Sequence, residues 1–83
     1  MEINYYTMMI GNAIELLINK RGKSNKEVAQ LICKKYPFME NGKLRKISTM
    51  QNNITNIVKG RSLPFDTITK LLEVLDAKKL DVE

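Results

Sequence analysis

The chain has 83 residues, enough for one domain built around a single small core. Fourteen Lys and Arg stand against nine Asp and Glu, with no histidine and one cysteine, Cys33. That inventory excludes a histidine-based triad, a His/Cys metal cluster and an internal disulfide, and the scattered acids offer no pair spaced for acid–base work. No enzyme, metal or cofactor is therefore expected. A lone cysteine suits a reducing compartment, and no apolar run approaches the ~20 residues of a membrane span. The opening residues show no basic stretch leading into a signal-like core. A soluble, cytoplasmic protein without a membrane partner is the expectation.

Residues 1–7 have no clear period, and Tyr5 and Tyr6 are expected either to pack on the core or to lie loose at the terminus. From about Thr7 the pattern becomes helical: Ile10, Ala13, Ile14, Leu17 and Ile18 form one apolar stripe, with Asn12, Glu15 and Asn19 facing out. Lys20 and Arg21 close this helix and Gly22 stops it. A second helix opens on Ser24-Asn25-Lys26-Glu27, a capping box in which the Ser24 hydroxyl and the Glu27 carboxylate each satisfy a free backbone N–H. Val28, Ala29, Leu31 and Ile32 supply its buried face, and the small Ala29 suits close approach of a following helix. Asn25 and Lys26, in the first turn, are positioned to touch phosphates.

Residues 34–48 form an unusual segment. Tyr36-Pro37-Phe38 should end the helix, because a residue preceding proline is pushed out of the α region. Glu40-Asn41-Gly42 reads as a turn, and Lys43-Leu44-Arg45-Lys46 is basic. Tyr36, Phe38, Leu44 and Ile47 are too apolar for a wholly loose loop. A partly anchored excursion is expected, with a short helix near residues 42–47. Lys43, Arg45 and Lys46 then make either a solvated surface or extra contacts to a nucleic-acid backbone.

A third helix is expected over about residues 49–59, with Ser48 or Thr49 as its cap and Gly60 as its stop. Met50, Ile54, Ile57 and Val58 fall at i, i+4, i+7 and i+8, one helical face. The opposite face carries Gln51, Asn52, Asn53, Thr55 and Asn56. These are mediocre helix formers, so propensity does not select them. They are also the side chains that pair with base edges in a major groove, where Asn and Gln bond adenine and Thr meets a thymine methyl. The bland alternative is an amide-rich surface helix. Lys59 and Arg61 stand at its negative end. Further on, Pro64 suits the first position of a fourth helix with Asp66 at its positive end and Ile68, Leu71, Leu72 and Leu75 as its stripe. Asp76-Ala77 ends it, and residues 78–83 are long enough for one loose turn, whose Leu80 and Val82 either dock on the core or meet a second subunit.

Charge sharpens the picture. Between Lys20 and Arg61 eleven cations stand against Glu27 and Glu40, a net of +9, whereas the remainder carries a net of −4. An asymmetry of this size around the amide-rich helix favours a polyanionic partner over a merely solvated lysine surface.

Taken together, these segments resemble the lambda-repressor-like (Cro/repressor, or XRE) helix-turn-helix family. Ile10-Gly11-Asn12-Ala13-Ile14-Glu15-Leu16-Leu17 is similar to its opening helix, and Gly22-Lys23-Ser24-Asn25-Lys26-Glu27-Val28-Ala29 to its Gly-x-Ser/Thr-x-x-x-Leu-Ala pattern. Ile54-Thr55-Asn56-Ile57-Val58-Lys59-Gly60-Arg61 resembles the recognition helix, and Pro64 with Asp66-Thr67-Ile68 the fourth. Three departures stand out: some fifteen extra residues between Cys33 and Met50, Cys33 where the family's turn has glycine, and Val58 where it often has Glu. The stretch from Pro64 to Ile68 is also one residue short of the family's spacing.

The resemblance implies an all-α domain of four to five helices spanning residues 1–83, with its core in residues 7–77. It also implies base contacts from Gln51, Asn52 and Asn56, with Thr55 and Asn53 next, and phosphate contacts from Asn25, Lys59 and Arg61. The expected partner is double-stranded DNA, met as a homodimer on a pseudo-palindromic site. The Lys-rich, Ile- and Asn-rich composition hints at a bacterial or phage source. The competing expectation is a phage- or plasmid-encoded module that uses the same fold to grip a protein.

Overall fold

The computed structural model describes residues 5–77 and is all-α, with four helices in chain order: α1 (Tyr5–Lys20), α2 (Asn25–Lys35), α3 (Ile47–Val58) and α4 (Phe65–Val74). The tail with Leu80 and Val82, like residues 1–4, lies outside the described residues. No helix among the described residues is long and apolar enough to cross a membrane.

One core joins all four helices. Ile14 and Ile18 of α1, Val28, Ala29 and Ile32 of α2, Met50, Ile54 and Ile57 of α3, and Leu71 with the adjacent Leu75 from α4 form a continuous buried cluster. These are the apolar stripes read from the sequence, so helical periodicity and packing agree. Helix α3 is the hub: it packs on both α1 and α2, while α4 closes over α2. Ala29 is fully buried, as its small size predicted.

Backbone chemistry at the helix ends explains where each one stops. Ser24 caps α2, accepting from the Glu27 N–H at 3.1 Å, while the Glu27 carboxylate accepts from the Ser24 N–H at 3.1 Å. Helices α1 and α3 both end in Schellman motifs with glycine in the left-handed region: Gly22 at φ 68° and Gly60 at φ 74°. In α3 the Gly60 N–H donates to the Ile57 carbonyl at 3.0 Å and the Arg61 N–H to that of Asn56 at 2.9 Å. Helix α4 ends the same way, with Asp76 at φ 54° in the position glycine holds elsewhere. Arg21, read as the close of α1, also reaches across the fold. Its Nε donates to the Leu75 carbonyl at 2.9 Å and its Nη2 to that of Asp76 at 3.3 Å, putting a cation on the carbonyl end of α4.

Five expectations need correction. Helix α1 starts at Tyr5 rather than Thr7, so Tyr5 and Tyr6 are helical and exposed instead of packed or loose. Cys33, placed by the resemblance in the family's turn, lies inside α2, which continues to Lys35; the break at Tyr36 before Pro37 is the one expected. The short helix near residues 42–47 does not form. A hairpin takes its place, with Phe38 and Leu44 as an antiparallel bridge, the Met39 N–H donating to the Lys43 carbonyl at 2.7 Å and the Arg45 N–H to that of Pro37 at 2.8 Å. Gly42 at φ 83° and the Asn41 carboxamide, which accepts from the Lys43 N–H at 3.0 Å, make the turn. Helix α3 begins at Ile47, so its N-cap is Lys46, without a side-chain cap bond, rather than Ser48 or Thr49. Ile47 continues the i, i+3, i+7 spacing of Met50 and Ile54 by sequence, but it is exposed and adds nothing to the core. Lastly, Pro64 is the N-cap of α4 and Phe65 its first residue.

At Gly11, α1 lies directly against the backbone of α3. A Cβ there would stand 2.3 Å from the Ile57 carbonyl oxygen and 3.1 Å from that of Val58, both backbone atoms. On an open helix face Gly→Ala would stabilise by about 1 kcal/mol through propensity. At this position the sign should reverse: Gly11→Ala is expected to destabilise by at least ~2 kcal/mol by forcing the helices apart. Chemical denaturation of the two proteins reads the difference.

Candidate nucleic-acid interface

Helix α3 divides by chemistry around its axis. Met50, Ile54 and Ile57 are buried, while Ser48, Thr49 and Asn52 are exposed. Gln51, Asn53, Thr55 and Asn56 are partly buried along the flanks of the exposed strip. At about 100° per residue, Gln51 and Asn53 stand roughly 160° apart, on opposite sides of Asn52. The five predicted base-contacting residues therefore form a strip centred on Asn52 with two edges, not one uniformly open face. Ser48 and Thr49, assigned above as caps, join this strip because the helix starts earlier. The signal that reveals them is the apolar spacing that begins at Ile47.

The residues predicted to meet phosphates fall into three groups, with Arg45 apart. Asn25 and Lys26 occupy the first turn of α2, Asn25 partly buried and Lys26 exposed. Lys59 and Arg61, both exposed, flank the glycine that ends α3. Lys43 and Lys46, also exposed, sit on the hairpin and at the N-cap of α3. Among the described residues none of these five cations is in an ion pair. Arg45 differs. It is partly buried, and its Nε is enclosed without a hydrogen-bond partner among the described residues. Its positive charge acts on both Cys33 and Asp66. Burial pushes the Cys33 thiol up, and the Arg45 charge opposes that only in part, so the thiol stays protonated.

A second cluster, which the sequence did not suggest, ties the hairpin's base to α4. Lys35 Nζ lies 2.8 Å from Glu73 Oε1, and the Tyr36 hydroxyl donates to Glu73 Oε2. Lys70 Nζ lies 2.5 Å from Asp66 Oδ1 and 5.1 Å from the centre of the Tyr36 ring. Asp66, Lys70 and Glu73 share one face of α4 by their i, i+4, i+7 spacing, and the acids that take up cationic charge are on this side. An open depression of about 460 Å³ lies beside the cluster, lined by Leu31, Lys34, Lys35, Glu73 and Val74 and by no residue of α3.

Comparison with protein-family models, with curated proteins and with solved structures gave no match to this chain. Its surface is therefore read from its own chemistry.

The cluster has a defined pH window. Hydrogen bonding from Lys35, and then from Tyr36, holds the Glu73 carboxyl below its ordinary 4.5, and Lys70 holds that of Asp66 below 3.8. The bond to Glu73 raises Lys35 above 10.5 and Tyr36 above 10.0. Depressed carboxyls contribute stability above their ordinary values and lose it as pH falls through the folded ones. Raised Lys35 and Tyr36 contribute below their ordinary values and lose that as pH rises through the folded ones. The clamp should thus hold through neutrality and release in acid. Titration from pH 6 to 3 is expected to shift the NMR resonances of Tyr36, and Glu73→Gln should flatten that shift.

Proposed function

We propose that the protein is a sequence-specific DNA-binding transcriptional regulator of the lambda-repressor-like helix-turn-helix kind, acting in the cytoplasm as a binding protein rather than an enzyme. Helix α3 lies in the major groove, with Asn52 at the centre of the contact and Gln51, Asn53, Thr55 and Asn56 along its sides. Lys26, Lys59 and Arg61 hold phosphates, helped by Asn25, and a homodimer brings two such helices to successive turns of a pseudo-palindromic site.

The observation that carries this reading is α3 itself. Its inner face is buried against two helices, yet its outer strip is made of amides and hydroxyls that favour neither the helix nor the core. Such side chains suit directional pairing with base edges, each good bidentate pair discriminating by ~1–3 kcal/mol. Unpaired cations before and after the helix support the reading, since a polyanion would neutralise them. The order of an α1 stripe, a capped α2, a polar α3 and a closing α4 supports the family resemblance.

Selection of bound duplexes from a random pool tests it. The full chain should enrich a symmetric sequence, and Asn52→Ala and Gln51→Ala should each erase preference at one or two positions without weakening non-specific binding. Because Asn favours the helix less than Ala, Asn52→Ala should hold or raise stability, by up to ~0.7 kcal/mol. Specific affinity should fall steeply with salt, and Lys59→Ala or Arg61→Ala should each lower that log–log slope by about 1. A flat salt response, or identical selected profiles for wild type and Gln51→Ala, would overturn the reading and leave a protein-binding module as the better account.

A further inference from the structure

The hairpin of residues 36–46 is fixed at its base and open at its end. The Arg45 N–H to Pro37 carbonyl bond closes its neck, Tyr36 is clamped to Glu73 under the Lys70 ammonium, and the Arg45 side chain is partly buried beside α2. Beyond the neck, Phe38 and Leu44 stand directly opposite each other across the antiparallel bridge, so their side chains share one face. Phe38 is 60% exposed and Leu44 65%, and nothing in the core requires either. Lys43 and Lys46 flank this pair, exposed, and the turn's one acid is Glu40.

An exposed apolar pair with unpaired lysines near it in the chain, Lys43 and Lys46, fits a surface that is both polyanionic and apolar between its charges. The minor groove is such a surface: its walls are sugars between phosphates, and proteins that enter it combine Lys or Arg with wedges of Phe or Leu. Chain continuity favours DNA over an acidic protein. Leu44 precedes the first residue of α3 by three positions, a span of at most ~10 Å. The major groove is ~12 Å wide, so a helix lying in it brings the hairpin to the groove's edge. We propose that this hairpin is a second DNA-binding element, an arm that enters the minor groove beside the major-groove segment taken by α3, a role that rests on the reading of α3 above. The clamp at Tyr36 and Glu73 holds the arm in position before DNA arrives.

Hydroxyl-radical footprinting, which reports on minor-groove sugars, tests the arm on duplexes selected by the wild-type chain from a random pool. Wild type should protect a minor-groove stretch outside the bases whose preference depends on Gln51. The double variant Phe38→Ser/Leu44→Ser should lose that flanking protection while still selecting the same central bases. Its fold, checked by thermal unfolding, should survive because both side chains are exposed. Lys43→Gln, which touches neither apolar residue, should lower the salt slope by about 1. An unchanged flank in the double variant and an unchanged slope for Lys43→Gln would overturn the arm while leaving α3 as the reader. Loss of dimerisation in the double variant with the flank intact would overturn it too, and assign the pair to a protein contact. Enrichment of no sequence by wild type would remove the reading of α3 and the arm with it.

Discussion

The contact between Gly11 and the last turn of α3 is the constraint on which the rest of the structure depends. With no side chain at Gly11, α1 comes so close that a single added carbon would meet the Ile57 carbonyl at 2.3 Å. Gly60 answers from the other side: a Cβ there would stand 3.1 Å from Met8 Cγ and 3.2 Å from its Cα, and φ 74° already favours glycine. Two glycines thus fix the depth and the end of α3 against α1. Ile14 and Ile18 then pack on the same helix that Val28, Ala29 and Ile32 of α2 meet. The outward strip of α3 is positioned by the packing of its inward side.

Charge is distributed to match. The acidic side chains of α4 that form ion pairs, Asp66 and Glu73, bind Lys70 and Lys35, and Arg21 is drawn to the carbonyl end of the same helix. The cations on α2's first turn, on the hairpin and beyond Gly60 have no such partners among the described residues. Exposed ion pairs contribute little to stability, so the pairing on α4 matters more for geometry than for energy. It anchors the hairpin's base on one side and leaves unpaired positive charge around α3, the arrangement a polyanion partner would use.

Much of this fold was legible because the helices obey a simple period and carry explicit stop signals. The stripes of α1, α2 and α4, the capping box at Ser24 and the glycines at 22 and 60 each rest on local chemistry that a sequence displays directly. The turn at Glu40-Asn41-Gly42 was legible, but the hairpin around it was not. The hairpin depends on a bridge between Phe38 and Leu44, while the basic run from Lys43 to Lys46 is equally compatible with a short helix. Long-range ties were hidden for a different reason. Arg21 to Leu75 and Tyr36 to Glu73 join residues far apart in the chain, and nothing in either neighbourhood announces the partner. On α3 the amides were visible, but their division into a centre at Asn52 and two partly buried edges required knowing where the core lies.

Helix α3 also shows local preference and tertiary packing in conflict. Asn52, Asn53, Thr55 and Asn56 weaken it, and its N-cap, Lys46, supplies no side-chain acceptor for the free N–H groups of the first turn. A twelve-residue helix of this composition would be marginal alone. It exists because Met50, Ile54 and Ile57 are buried between α1 and α2, so its order is inseparable from the whole domain's. Residues that stabilise a helix have been set aside along one strip and the deficit is met by packing on the other. Conflict of this kind, confined to a solvent-facing strip of an otherwise consistent fold, is what is expected where side chains are kept for recognition rather than for folding.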